Sequence, residues 1–83
     1  MNPEDITRLI SEGLPGAEVQ VRSDDNTHYE AVIISGDFDG KSRIARHQLV
    51  YGTLGALMGN EIHAMSIRAH TPEEWERLTS GAG

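Results

Sequence analysis

The segment from Asn60 to Ala69 constrains this chain most. Ile62-His63-Ala64-Met65-Ser66-Ile67-Arg68-Ala69 alternates at a period of two, as a strand with two unlike faces must. His63, Met65 and Ile67 fall on one side, and Ala64, Ser66 and Arg68 on the other. Gly59-Asn60 stops whatever element precedes it. Thr71-Pro72-Glu73-Glu74 starts a helix directly after it: Thr71 caps, Pro72 takes the first position, and Glu74 returns a bond to the cap. The spacing predicts a strand over Ile62–Ala69 that opens on a histidine, then a short helix anchored by Trp75 and Leu78 and ending near Ser80. Gly81-Ala82-Gly83 is expected to fray.

The rest of the chain builds something for this strand to join. Asn2-Pro3-Glu4-Asp5 is a helix start, with an Asn cap, Pro at the first position and acids at the positive end of the dipole. Ile6, Leu9 and Ile10 repeat at helical spacing, and Gly13, Pro15 and Gly16 end a helix over Pro3–Glu12. Ala17 to Ser23 alternates again, with Ala17, Val19 and Val21 toward a core. A polar turn, Ser23 to Thr27, leads to a second strand over His28–Ser35, so the pair forms an antiparallel hairpin. Gly36 to Lys41 is a loop. Ser42 caps a second helix that is expected to run to about Met58, with Arg43 and His47 on the side of Val50 and Leu54. Gly52, Gly55 and Gly59 weaken that helix but would let it approach the sheet closely. The order is α-β-β-α-β-α: a single α+β domain over residues 1–83 with a three-stranded sheet.

Length and composition exclude several function classes. A chain of 83 residues buries only roughly 60–65% of its unfolded surface, which suffices for one modest core. It has no apolar run near the ~20 residues that span a bilayer, and no basic start followed by an apolar stretch, so a cytoplasmic location is expected. There are no cysteines, which removes disulfides and any thiolate nucleophile or ligand supplied by this chain. The net charge of −6 argues against tight nucleic-acid binding. Yet Lys41, Arg43, Arg46 and His47 lie in a stretch to Asn60 that holds no acid, and a basic turn at a helix N-terminus suits an anion or a nucleic-acid backbone.

Among single residues, His63 is either a satisfied histidine at the core edge or a metal ligand. His28 opens the second strand behind Asp24 and Asp25, which offer further oxygens or merely a solvated turn. Two histidines are too few for a closed zinc site. There is no Ser-His-Asp arrangement of useful spacing, and Gly36 to Gly40 lacks the ending of a phosphate-binding loop. The chain is not expected to be an enzyme.

Four stretches carry a family resemblance: Phe38-Asp39-Gly40-Lys41-Ser42-Arg43, Arg46-His47-Gln48-Leu49-Val50-Tyr51-Gly52, Ile62 to Ala69, and Thr71-Pro72-Glu73-Glu74-Trp75. In this order and spacing they resemble the BolA family. The loop Asp24-Asp25-Asn26-Thr27-His28 is similar to its histidine-bearing, IbaG-like branch, where other members carry a cysteine. The resemblance implies a fold similar to the class II KH domain and a partner, a monothiol glutaredoxin, with which the chain would share a bridging 2Fe-2S cluster. The glutaredoxin and a bound glutathione would supply thiolates, His63 the family's shared ligand, and His28 a second. It implies cluster trafficking or iron and redox regulation. The alternative it carries is a KH-like, DNA-binding transcriptional regulator acting in the stress response, with Lys41, Arg43, Arg46 and His47 as the contact.

Overall fold

The computed structural model describes residues 1–62 and 64–80. The elements are α1 (Pro3–Gly13), β1 (Glu18–Arg22), β2 (His28–Ile34), a short 3-10 turn (Gly36–Phe38), α2 (Arg43–Leu54), a second 3-10 turn (Gly55–Leu57), β3 (Ala64–His70) and α3 (Pro72–Ser80). The α-β-β-α-β-α order is as expected, and the sheet is mixed, in the order β1-β2-β3. β1 and β2 form the antiparallel hairpin, whereas β2 and β3 run parallel. Parallel neighbours cannot be joined by a tight turn, so α2 serves as the crossover.

Local chemistry accounts for the element ends. Asn2 accepts the Asp5 N–H at 3.0 Å to cap α1, and Ser42 accepts the Ala45 N–H at 3.1 Å to cap α2. The capping box of α3 forms as read: Thr71 Oγ1 accepts from the Glu74 N–H at 3.2 Å, and Glu74 Oε1 accepts from the Thr71 N–H at 3.0 Å. α2 stops at Leu54, short of the expected Met58, because Gly55 takes a φ of +56° that a right-handed helix cannot continue. β3 is described from Ala64 to His70; its expected first residues differ, since Ile62 makes only an isolated bridge to Met58 and His63 lies outside the described residues.

One sheet face carries the core. Tyr29, Ala31 and Ile33 of β2 are buried against Ile6, Ile10 and Leu14 of α1 and Val50 and Leu54 of α2, with Phe38 and Ile62 closing the ends. Val19 and Val21 of β1, with Met65, Ile67 and Ala69 of β3, flank this cluster half-buried. On the opposite face, Trp75 of α3 shares a groove with Gln20, Val32 and Ile34. Leu78 does not anchor α3 as expected: it is 57% exposed.

Two contacts tie the helices down. The Arg46 guanidinium makes a bidentate bond to Glu74, at 2.7 and 3.1 Å, and also donates to the carbonyl oxygens of Ala69 (3.0 Å) and Lys41 (2.9 Å). It lies 5.9 Å from the centre of the buried Phe38 ring. The glycines expected to permit close packing do not: a side chain at Gly52, Gly55 or Gly59 would meet nothing within 4 Å. Gly13 does, since a Cβ there would sit 2.4 Å from Thr53 Cγ2 and 2.8 Å from Thr53 Cβ.

Gly13→Ala is therefore expected to destabilise the fold by about 1–3 kcal/mol through overpacking, with partial recovery in Gly13→Ala/Thr53→Ala; urea unfolding measures both. The Arg46 guanidinium, followed by the Thr71 N–H, holds the Glu74 carboxyl at about 2 against an ordinary 4.5. The folded state thus binds fewer protons than the unfolded chain across that interval, and the contribution is complete above pH 4.5 and lost as pH falls toward 2. Thermal melts over this range should show a shallower acid limb in Glu74→Gln than in the parent, and equal slopes would contradict the assignment.

Candidate functional site

The register of β2 on β3 sets the site. His28, the first residue of β2, pairs with Ala64, the first of β3. Both strands start at the same end of the sheet, as parallel strands do, and a cleft of about 510 Å³ opens there between the Ser23–His28 loop and β3. Asp24, Asp25, His28, Ala64 and Ser66 are among its lining residues. His63, the other predicted ligand, precedes Ala64 in the chain and lies outside the described residues.

The loop is held by its own polar side chains. Asp25 Oδ1 accepts the backbone N–H groups of Thr27 and His28, each at 2.9 Å. Ser23 Oγ donates to the His28 carbonyl at 2.6 Å and accepts the Asn26 N–H at 2.9 Å. Asn26 takes a φ of +56°, a conformation that asparagine tolerates better than most residues. The loop is also pinned from beneath: the Tyr29 ring is buried, and its hydroxyl bonds the Asn26 carbonyl at 2.6 Å and meets the carbonyl of Met1. Burial and, secondarily, the Asp25 charge push the Tyr29 hydroxyl above its ordinary pKa, so it remains a donor.

On this frame the His28 side chain is exposed, and its Nδ1 stands 2.9 Å from Asp25 Oδ2. The His28 backbone N–H, then the ring, then the Thr27 N–H hold the Asp25 carboxyl far below its usual range, so it faces the imidazole as a carboxylate. Both Asp25 oxygens are thus engaged, and Asp25 is a support for His28 in place of the independent oxygen ligand that the sequence allowed. Among the described residues no group of three or more His, Asp or Glu side chains is arranged to hold a metal ion.

The basic residues divide differently from the sequence expectation. Lys41, Arg43 and His47 line a separate cleft beside the second half of β3, together with Arg68, His70 and the exposed Leu78. Arg46 borders the same cleft but is committed to Glu74 and two carbonyls, a structural role that its sequence spacing does not reveal. Arg68 was absent from the predicted set. It joins because β3 leaves it exposed at the border of this cleft, and the strand alternation was the signal for it. Phe38 is fully buried and Tyr51 sits edge-on to His47 at 6.5 Å, so Phe38 offers no stacking platform.

Comparison with known proteins agrees with this architecture. A family model described as BolA-like protein matches residues 11–74. Acid stress protein IbaG of Escherichia coli strain K12 is 40% identical over 78 residues, covering 93% of this chain and 92% of that protein. The DNA-binding transcriptional regulator BolA of Haemophilus influenzae is 38% identical over 50 residues, covering 60% of this chain and 48% of that protein. A solved BolA protein homologue from Coxiella burnetii superposes with a TM-score of 0.83 at 38% identity, covering 93% of this chain and 99% of that one.

Proposed function

The chain belongs to the BolA-like family, and we propose that it is a non-enzymatic iron–sulfur accessory protein that shares a 2Fe-2S cluster with a monothiol glutaredoxin. The single observation that carries this reading is the pairing of His28 with Ala64 at the common end of two parallel strands. One peptide link joins Ala64 to His63, so the second imidazole of the proposed pair belongs to the residue next in the chain to the strand partner of His28. Their chemistry fits a shared site. A chain without cysteine contributes no thiolate, and two imidazoles leave the remaining positions to the partner's cysteine and its bound glutathione. When bound, such a cluster supplies a one-electron centre whose potential is raised by histidine ligands. The chain's own part is to present imidazole from an open cleft that a partner can reach. Cluster trafficking or iron and redox regulation follows from such a shared, transferable site.

Titration with cluster-loaded glutaredoxin, followed by visible absorption and circular dichroism, tests the ligands separately. His63→Ala should abolish the spectrum of the mixed complex, and His28→Ala should change it. Wild-type spectra and affinities in both variants would reject the reading.

A second reading, a nucleic-acid-binding regulator of the stress response, draws on the cleft in which Lys41, Arg43, His47 and Arg68 gather within a chain of net charge −6. With Arg46 committed elsewhere, Lys41, Arg43 and Arg68 are the fixed charges left for phosphate, so the log–log salt dependence of duplex DNA binding should have a slope of about −3. Absence of binding at low salt would remove this reading.

A further inference from the structure

We propose that Asp25 is a positioning residue that holds His28 in the Nδ1–H tautomer and so presents an unprotonated Nε2 to an incoming metal. The inference rests on the reading of His28 as a ligand and adds to it which nitrogen binds and what selects that nitrogen.

The geometry leaves little freedom. A carboxylate only accepts hydrogen bonds, so the 2.9 Å contact between Asp25 Oδ2 and His28 Nδ1 requires the proton on Nδ1. In a neutral imidazole the other nitrogen then carries a lone pair, which is the form that binds metals. An unconstrained histidine side chain prefers the opposite arrangement, with its proton on Nε2. Asp25 thus reverses the intrinsic preference of the ring. No hydrogen bond to His28 Nε2 occurs among the described residues, and the side chain is 68% exposed, so that nitrogen is available to a partner. Asp25 itself is unsuited to bind the metal. Its Oδ1 takes the N–H groups of Thr27 and His28, and its Oδ2 takes the ring.

The same carboxylate therefore grips His28 twice, by its backbone N–H and by its ring. Orientation of a ligating histidine by a carboxylate on its other nitrogen is a recurrent device in metal sites, and loss of such a partner typically lowers metal affinity by roughly 10–100-fold. Here the device is encoded locally, as an Asp three residues ahead of the His inside one turn.

Asp25→Asn separates the two grips. Its single amide oxygen can keep the backbone bonds made by Oδ1, while its NH₂ group then faces Nδ1 and demands an acceptor there. The variant should keep the turn and invert the ring. Long-range ¹H–¹⁵N correlation spectra of the metal-free chain, recorded in alkaline solution where imidazole is neutral, report the tautomer directly. The expected result is Nδ1–H for His28 in the parent and in the control Asp24→Asn, and Nε2–H in Asp25→Asn. With cluster-loaded glutaredoxin, Asp25→Asn should then bind roughly 10–100-fold more weakly. An Nε2–H ring in the parent, or a ring unchanged by Asp25→Asn, overturns the inference without any metal present. An inverted ring with undiminished cluster affinity overturns the positioning role. A His28→Ala variant that assembles normally sinks the ligand assignment instead, and the tautomer measurement keeps the two failures apart.

Discussion

Parallel pairing of β2 with β3 is the constraint from which the remaining architecture follows. Two parallel strands start at the same end of a sheet, and the chain must travel the length of the domain to begin the second. α2 makes that return and packs Val50 and Leu54 onto the core face of β2 on the way. The hairpin partner β1 takes the other side of β2, which leaves β1 and β3 as the edges. The end where β2 and β3 both begin is occupied by the Ser23–His28 loop and by Ala64, and the candidate site lies between them.

Arg46 holds the opposite half of β3. Its planar guanidinium meets a carboxylate from α3, a carbonyl from β3, a carbonyl from the turn before α2 and the edge of the core at Phe38. A lysine offers one compact charge and would not reproduce this forked pattern. Glu74 is equally engaged, since one carboxylate serves both the cap of α3 and Arg46. The helix-start motif and the interhelical tie are thus one structure, and α3 is seated by it although Leu78 contributes little burial.

The fold was readable where local chemistry decides: the Asn2, Ser42 and Thr71 caps, the alternation of β1, and the turn between β1 and β2. Structure and pattern part where tertiary geometry decides. Periodicity carried α2 through to Met58, but the backbone of Gly55 ends it. Gly52, Gly55 and Gly59 suggested close packing, while the close approach is at Gly13 in α1, where only the position of Thr53 in α2 reveals it. For the site, the residue types were visible but their allegiances were not. Arg46 and His47 are neighbours in sequence, yet one is consumed in the framework and the other lines a cleft. Asp24 and Asp25 were indistinguishable as letters, and only the turn geometry turns one of them toward the His28 ring. His63, the residue on which the family resemblance turns, lies outside the described residues, so its part in the site rests on that resemblance and on its link to Ala64.

The walls of the site come from opposite sides of the crossover. The loop wall belongs to the β1–β2 hairpin, whose residues are close in the chain, whereas the Ala64 wall belongs to β3, which the chain reaches only beyond α2. A half-folded chain, or one still emerging with β3 unmade, has a histidine on a loop and no cleft. Occupancy is consequently linked to completion of the domain: any ligand bound between these walls is bound by native molecules alone and shifts the population toward them. The long-range pairing of β2 with β3 is therefore also the step that completes the cleft.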